Sequence, residues 1–423
     1  MSGMAAFILA GGIGKRLSLL TLFRAKPAVP FAGRYRIIDF TLTNCVRSDI
    51  RSVHVLTQYI SRSLIRHLGI GKPWDLDRLK GGLRILHPRL GHEGADWYKG
   101  TADAIYQNIS ILKKLDEKHV LILSGDHVYD MDYGVFLEHH IESGKQASLA
   151  VIEVDPSQCR EFGIATVDSE GRIRKFEEKP AWTDSTLASM GIYIFERDYL
   201  IDILSRMKPL HEDLDFGKHI IPDLVSKDEL AAYRYSGYWL DIGTLRSYYR
   251  ASISLLANSP RLELGREDQL ILTVPEDNPP SFISHGAKIH RSLICSGCQI
   301  KGDVSNSILS PGVTVEEGAV VKDSIILHGC TIRREAKVTR AIIDKRAVVG
   351  REAVIGEGDI RIANQLQPGY LDFGLTLVGK KTVIPAGIRV GTNCLVSGSP
   401  GNGKIPGNNI ADGQSFLSSD IDI

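Results

Sequence analysis

Between Phe282 and Tyr370 the chain holds no Phe, Tyr or Trp, and small aliphatics return near every sixth position. Ile326, Ile332 and Val338 form one series; Ile342, Val348, Val354 and Ile360 form another. Gly, Asp and Ser fill the intervals. A six-residue return predicts a parallel β-helix, a triangular coil whose inward aliphatics stack from rung to rung. Such a prism is too narrow for aromatic rings. A β-sandwich would instead show two-residue alternation and more aromatics. A second burst, Thr382 to Gly391, predicts another coil. From Pro400 to Ile423 the chain is polar and Gly/Asn/Ser-rich, and a mobile tail is expected.

Upstream the pattern differs. Val53–Gln58 and Val120–Ser124 read as strands, the second without polar alternation, as in a parallel sheet covered on both faces. Residues 100–113 carry apolar positions at helical spacing. This alternation predicts an α/β domain, whose ligands bind at the carboxyl ends of strands. Breakers in Asn258-Ser-Pro260 and Asp277-Asn-Pro-Pro280 mark a linker. The expected organisation is therefore a catalytic domain over 1–256, a linker over 257–280 and the β-helix with its polar tail over 281–423.

The chemistry starts where the first strand breaks, at Ala10-Gly11-Gly12-Ile13-Gly14-Lys15-Arg16, with Lys26 ten residues on. Glycines let backbone N–H groups approach an anion, and Arg16 and Lys26 add the charge that amides alone cannot match. A nucleotide triphosphate is the natural ligand, although neither the dinucleotide fingerprint nor the P-loop motif is present. Asp126, in Ser124-Gly125-Asp126-His127, follows a strand directly. Asp241 stands in Gly237-Tyr-Trp-Leu-Asp-Ile-Gly243. Two carboxylates facing a triphosphate point to Mg²⁺. His127 has no Ser or Cys nucleophile to partner and reads as structural. In Phe176-Glu-Glu-Lys-Pro180, Lys179 suits a second, smaller phosphate and Glu178 suits sugar hydroxyls.

Composition excludes other classes. Lys+Arg 51 against Asp+Glu 50 leaves no basic surplus for a nucleic-acid partner. No apolar run reaches the length of a membrane span. Six scattered cysteines fit a reduced, cytoplasmic setting. Cys295-Ser-Gly-Cys298 lacks the second pair that zinc requires and reads as small residues in a repeat coil.

From Ala6 to at least Ile360 the chain resembles the bacterial glucose-1-phosphate adenylyltransferases, also called ADP-glucose pyrophosphorylases. The motifs occur in order: AGGIGKRL, RAKPAVPF, RIIDFTLTN, TQY, GIGKPWDLDR, DWYKGTADAIYQN, LSGDHVYDMDY, FGI, FEEKP, LASMGIYIF, DFGKHIIP and GYWLDIGT. The resemblance implies a Rossmann-like nucleotidyltransferase domain with a mostly parallel sheet, followed by a left-handed β-helix of hexapeptide repeats. It implies a homotetramer, or a hetero-oligomer with a paralogous subunit. The implied reaction joins ATP and α-D-glucose 1-phosphate into ADP-glucose and pyrophosphate. By the same resemblance Asp126 and Asp241 hold Mg²⁺, and Arg16 and Lys26 steady the leaving pyrophosphate. Gly11, Gly12, Gln58, Gly100 and Gly125 line the nucleotide pocket. Tyr98, Gly163, Glu178, Lys179 and Ser189 surround the sugar phosphate. Arg24 marks a possible effector site. Four positions depart from the family pattern: Ile13, Phe23, Asp130 and Leu240 stand where relatives usually carry polar or basic residues, or Lys. Two rival readings follow. One is a transferase using UTP, GTP or dTTP; the other is a catalytically weak regulatory subunit. A third, an acyltransferase, lacks a CoA site or catalytic His in the repeats.

Overall fold

The computed structural model describes residues 3–12, 14–88, 97–265, 270–398, 409–418 and 421. They fall into two compact units, Met1–Gly12 with Ile38–Trp239, and Ile13–Ile37 with Leu240–Ile423.

Unit 1 is a mixed sheet flanked by helices. Strand β1 (Met4–Leu9) is followed by α1 (Ile37–Arg47), β2 (Ser52–Leu56), β3 (Gly82–Leu86), α2 (Thr101–Gln107) and β4 (His119–Ser124). These four strands are parallel, with β1 between β4 and β2, and β3 outside β2. Ala5, Ala6, Phe7 and Ile8 are all wholly buried, so β1 is covered on both faces, as its unbroken apolar run demands. The helix expected over 100–113 is interrupted at Asn108. That side chain donates to Ala104 O at 2.9 Å and competes with the helical ladder.

Then come α3 (Tyr133–Ser143), β5 (Ala147–Glu153), β6 (Gly163–Val167), β7 (Ile173–Glu178), β8 (Leu187–Glu196), α4 (Arg197–Met207) and β9 (Leu230–Arg234). The long β8 is antiparallel to β4, β5 and β6, and makes the sheet mixed. Its register slips between Ser189 and Tyr193, where Gly191 has φ 65°. A bulge of this kind bends a strand and re-aims its side chains.

Unit 2 contains the β-helix. Its rungs pair in parallel, at a seventeen-residue offset where Leu309 meets Ile326 and Ile326 meets Ile343. The expected second inward series is one residue out. Ile343, Val349 and Ile355 line the core, whereas Val348 and Val354 are only half-buried and Ile360 is 51% exposed. The cause is local. From Leu309 to Ile343 each coil has two six-residue sides and one five-residue side, and the short side turns on a single left-handed residue, Asp323 (φ 49°) or Arg340 (φ 45°), as Asn306 (φ 46°) does in the coil before. A strict period of six cannot see that shorter corner.

The expected tail is also corrected. Ser415–Leu417 adds a parallel strand to Leu395–Ser397, and Ile410 bridges to Val390, so residues 409–418 extend the coil. The end of the expected linker is bonded to the prism as well: Gly297 N donates to Pro279 O at 2.7 Å, and Glu276 pairs with His328 at 3.0 Å. All six cysteines are free thiols. Burial pushes the Cys295 thiol up to about 12, and Cys298 Sγ donates to Ser310 O. Both therefore pack as small apolar groups.

Candidate active site

In unit 1 the ends of β1 and β4 are tied together, since Gly125 N donates to Leu9 O at 3.0 Å. A Cβ on Gly125 would sit 3.1 Å from Ile8 Cγ2 and 3.3 Å from Leu9 O, so a larger residue would crowd this turn. On the other side of β1, Ala10 N donates to Leu56 O at 2.9 Å. Gly11 lies against Gln58, whose amide donates to Tyr98 O at 3.3 Å, while no described residue comes within 4 Å of a Cβ placed on Gly12. Ile13 lies outside the described residues. Asp126 follows the Gly125 turn, a quarter exposed, and accepts from the Ser124 hydroxyl. His127 Nε2 is 3.6 Å from Asp126 Oδ1. Its ring meets Trp239 edge-on at 5.1 Å, and Phe162 packs on the same indole. The indole N–H of Trp239 is buried with no acceptor among the described residues. Sequence reasoning passed over Trp239, although it sits two positions before Asp241.

A second cluster forms at the same end of the sheet. The Gly191 bulge lies beside Ser124 and His127. Gly191 N donates to Ser189 Oγ at 3.2 Å. The Tyr193 phenol is held above its ordinary range by burial, against a hydrogen bond from Ser189, with the charges of Asp215 and Glu178 adding to the rise. Glu178 ends β7 opposite Gly163. A Cβ on Gly163 would fall 2.9 Å from Glu178 Oε2, and one on Gly217 would fall 2.6 Å from the same oxygen. Asp215 accepts from the Thr101 hydroxyl at 2.8 Å and caps the single π-helical turn Phe216–Ile220. Gly100 is pressed onto this segment, since its Cβ would lie 2.3 Å from Leu214 O. Glycines thus clear space around two carboxylates, an arrangement suited to sugar hydroxyls. Asp215 and Tyr193 were missed as site residues, although DFGKH and MGIYIF carried them.

Lys179 follows Glu178 with φ 48°, its amide donating to Phe162 O at 3.0 Å. Its side chain is 60% exposed and its ammonium is 3.5 Å from Glu178 Oε1. The backbone is fixed and the charge is presented outward. Lys179→Ala should raise KM for glucose 1-phosphate about thirtyfold with kcat nearly unchanged, the signature of lost uniform binding. Steady-state kinetics with the sugar phosphate varied checks this; an unchanged KM removes Lys179 from the site.

In unit 2, Gly14 (φ 70°) folds back on Lys26, and Thr21 Oγ1 donates to Gly14 O at 2.9 Å. Lys26 Nζ reaches Asp241 Oδ1 at 3.0 Å, the two side chains only 8% and 14% exposed. A Cβ on Gly243 would lie 2.8 Å from Asp241 Oδ2 and 3.2 Å from Arg16 Nη2. Three expected catalytic residues, Arg16, Lys26 and Asp241, therefore gather in this unit; Asp126 belongs to the other.

Arg24 is not presented to solvent. Its Nη2 alone donates to both Asp344 oxygens, at 2.9 and 2.8 Å, both side chains buried, and its Nη1 has no acceptor among the described residues. Further cations surround the pair. Burial lowers the Lys345 ammonium to about 7, helped by Arg36 and Arg24. Lys380 is lowered too, first by burial and then by Arg24, and stands over the Phe23 ring at 5.9 Å. The signal that sequence reasoning missed is Asp344-Lys345-Arg346, three charges in a row inside an aliphatic repeat. Among the other departures, Asp130 pairs with Arg47 at 3.0 Å and Leu240 is half-buried.

Comparison with known proteins finds two family models in succession. The Nucleotidyl transferase family model matches residues 5–258, and the model described as GlmU-like, C-terminal hexapeptide matches residues 279–365. A glucose-1-phosphate adenylyltransferase of Thermomicrobium roseum is 46% identical over 417 residues, 98% of this chain and 97% of its own. One from Acetivibrio thermocellus is 42% identical, covering 97% of each chain. One from Pseudothermotoga lettingae is 46% identical, covering 94% of each. Among the described residues no helix is long and apolar enough to cross a membrane.

Proposed function

This chain belongs to the glucose-1-phosphate adenylyltransferase family, and we propose that it transfers the adenylyl group of ATP to α-D-glucose 1-phosphate. An oxygen of the sugar phosphate attacks the α-phosphorus in line. The bond to the β-phosphate breaks, its electron pair leaves with pyrophosphate, and ADP-glucose remains. No protein nucleophile is needed, because positioning and charge compensation supply the rate. The observation that carries the reading lies within unit 1. The glycine turn at Gly11-Gly12 and the Asp126 carboxylate share one end of the sheet with the Glu178–Asp215 carboxylate cluster.

In this reading Gly11 and Gly12 accept the triphosphate with Gln58 beside them, and Arg16 and Lys26 compensate the departing pyrophosphate. Glu178, Asp215 and Ser189 hold glucose, Lys179 holds its phosphate, and Trp239 offers an unused donor. Asp126 and Asp241 offer hard carboxylate oxygens, the donor set that Mg²⁺ takes together with phosphate and water. When bound, Mg²⁺ supplies charge neutralisation on the triphosphate. The decisive assay is pyrophosphate release by the purified chain with Mg²⁺ and glucose 1-phosphate, comparing ATP with UTP, GTP and dTTP. ATP-selective release supports the reading. Release with another nucleotide reassigns the donor, and none points to the regulatory-subunit reading. The expected homotetramer and the linker over 257–280 stand as parts of the same proposal, checked by light scattering and limited proteolysis.

In the proposed effector site Arg24 stays locked on Asp344, and the neighbouring Arg36, Lys345 and Lys380 supply the charge for a phosphorylated or sulfated anion. The pH dependence follows in sign. Lys345 is charged below about pH 7 and neutral above it, so anion affinity falls as pH rises from 6 to 8. Sulfate, a dianion throughout that range, should bind several-fold more weakly at pH 8 by calorimetry. Lys345→Met should remove most of that slope; a slope that survives it excludes Lys345.

A further inference from the structure

At the opposite end of the unit 1 sheet stands a cluster that the transfer reaction does not use. His119 opens β4 and Glu196 closes β8, and the two are register partners across the antiparallel pair. His140, in the last turn of α3, comes over them. One donor atom from each of the three lies within 4.8 Å of the others. Ser124, at the far end of β4, is about 17 Å from His119 along the strand.

We propose that His119, His140 and Glu196 form a site for a borderline divalent transition ion, Zn²⁺ in its chemistry.

The contacts fit a coordination shell better than an ordinary polar cluster. Glu196 Oε1 is 3.2 Å from His119 Nε2 and 3.5 Å from His140 Nε2. Those are about the ligand–ligand edges of a tetrahedron with metal bonds of roughly 2.0–2.2 Å. His140 is 1% exposed, yet its Nε2 has no hydrogen-bond partner among the described residues and faces the carboxylate. A buried imidazole nitrogen left unpaired calls for a ligand. Its other nitrogen, Nδ1, is 2.8 Å from the buried Ser148 hydroxyl. With Ser148 as acceptor, Nδ1 carries the proton and Nε2 keeps the lone pair, the orientation an outer-shell partner imposes on a metal-bound histidine. Two imidazoles and one carboxylate favour Zn²⁺ over Mg²⁺. Glu196 is 40% exposed, which leaves a side open for water as fourth ligand. The bound ion would staple β4, β8 and α3, and so would act on stability.

The test uses the full chain, stripped with chelator and kept in millimolar Mg²⁺ so that hard-carboxylate sites are filled. Co²⁺ should bind one to one with the visible absorption of a tetrahedral N/O site, and Zn²⁺ should displace it. At a hundredfold excess over Kd, Zn²⁺ should raise Tm by about 5 °C. His119→Gln and Glu196→Gln, both at partly exposed positions, should each weaken binding about a hundredfold while ADP-glucose synthesis is unchanged. His219→Gln, in the stacked His211–His219 pair, should leave binding intact. Absence of the absorption band, undiminished binding in the first two variants, or loss in the third would overturn the proposal.

Discussion

Asp126→Ala is expected to lower kcat about a thousandfold, roughly 4 kcal/mol of transition-state stabilisation, with KM for glucose 1-phosphate little changed. The size follows from what the carboxylate does in the proposed reaction. Charge builds on the phosphate oxygens as the bond to pyrophosphate stretches, and compensation there counts most in the transition state. The fold should tolerate the change. Asp126 is a quarter exposed, and its bond to the Ser124 hydroxyl can pass to water. The backbone of the turn is held separately by Gly125 N on Leu9 O. Asp126→Asn is the stricter variant, since it keeps shape and removes only charge. Single-turnover rates with Tm recorded alongside decide the matter. Turnover within tenfold of the parent in both variants would end the metal assignment.

The largest stability effect is expected at Asp344. Asp344→Asn should cost unit 2 about 3–5 kcal/mol, read as a lower thermal midpoint. Its carboxylate is wholly buried and forks onto the equally enclosed Arg24. Removing it strands a guanidinium that already has one unpartnered nitrogen, with Lys345, Lys380 and Arg36 nearby. Arg24 would lose its counter-charge, and Lys380, whose charge Asp344 also favours, would stand beside it uncompensated. Two further measurements separate charge from packing. The double variant Arg24→Met/Asp344→Leu should recover most of the loss, because an apolar pair needs no hydrogen bonds. Millimolar sulfate should partly restore Asp344→Asn, because an anion can take the vacated position among the cations. A midpoint unchanged in Asp344→Asn would show that the pair carries no structural weight.

Much of this was legible residue by residue. The unbroken apolar runs at 5–8 and 120–123 are the buried parallel strands they resemble in pattern. The aromatic-free stretch is the narrow coil, and the glycines at 11 and 125 mark where backbone meets backbone at the strand ends. The misses share one cause. The inward series slipped at Val338–Ile343 because one left-handed residue shortens a corner, and no side-chain pattern announces a φ of 45° at an arginine. The tail took its place in the coil because Ser415–Leu417 found a free rung edge at Leu395–Ser397.

What the sequence determined by itself, then, was kind: the alternation of elements, the period of the coil, and which residue types could meet phosphate, sugar and metal. Those follow from local rules of sterics and burial, which act within a few residues. Partnership was left to the tertiary structure. That Lys26 closes on Asp241, Arg24 on Asp344, and His119 and Glu196 beneath His140 depends on contacts between elements far apart in the chain. Charge attracts whatever charge the packed core brings near, and only the completed fold says which one that is.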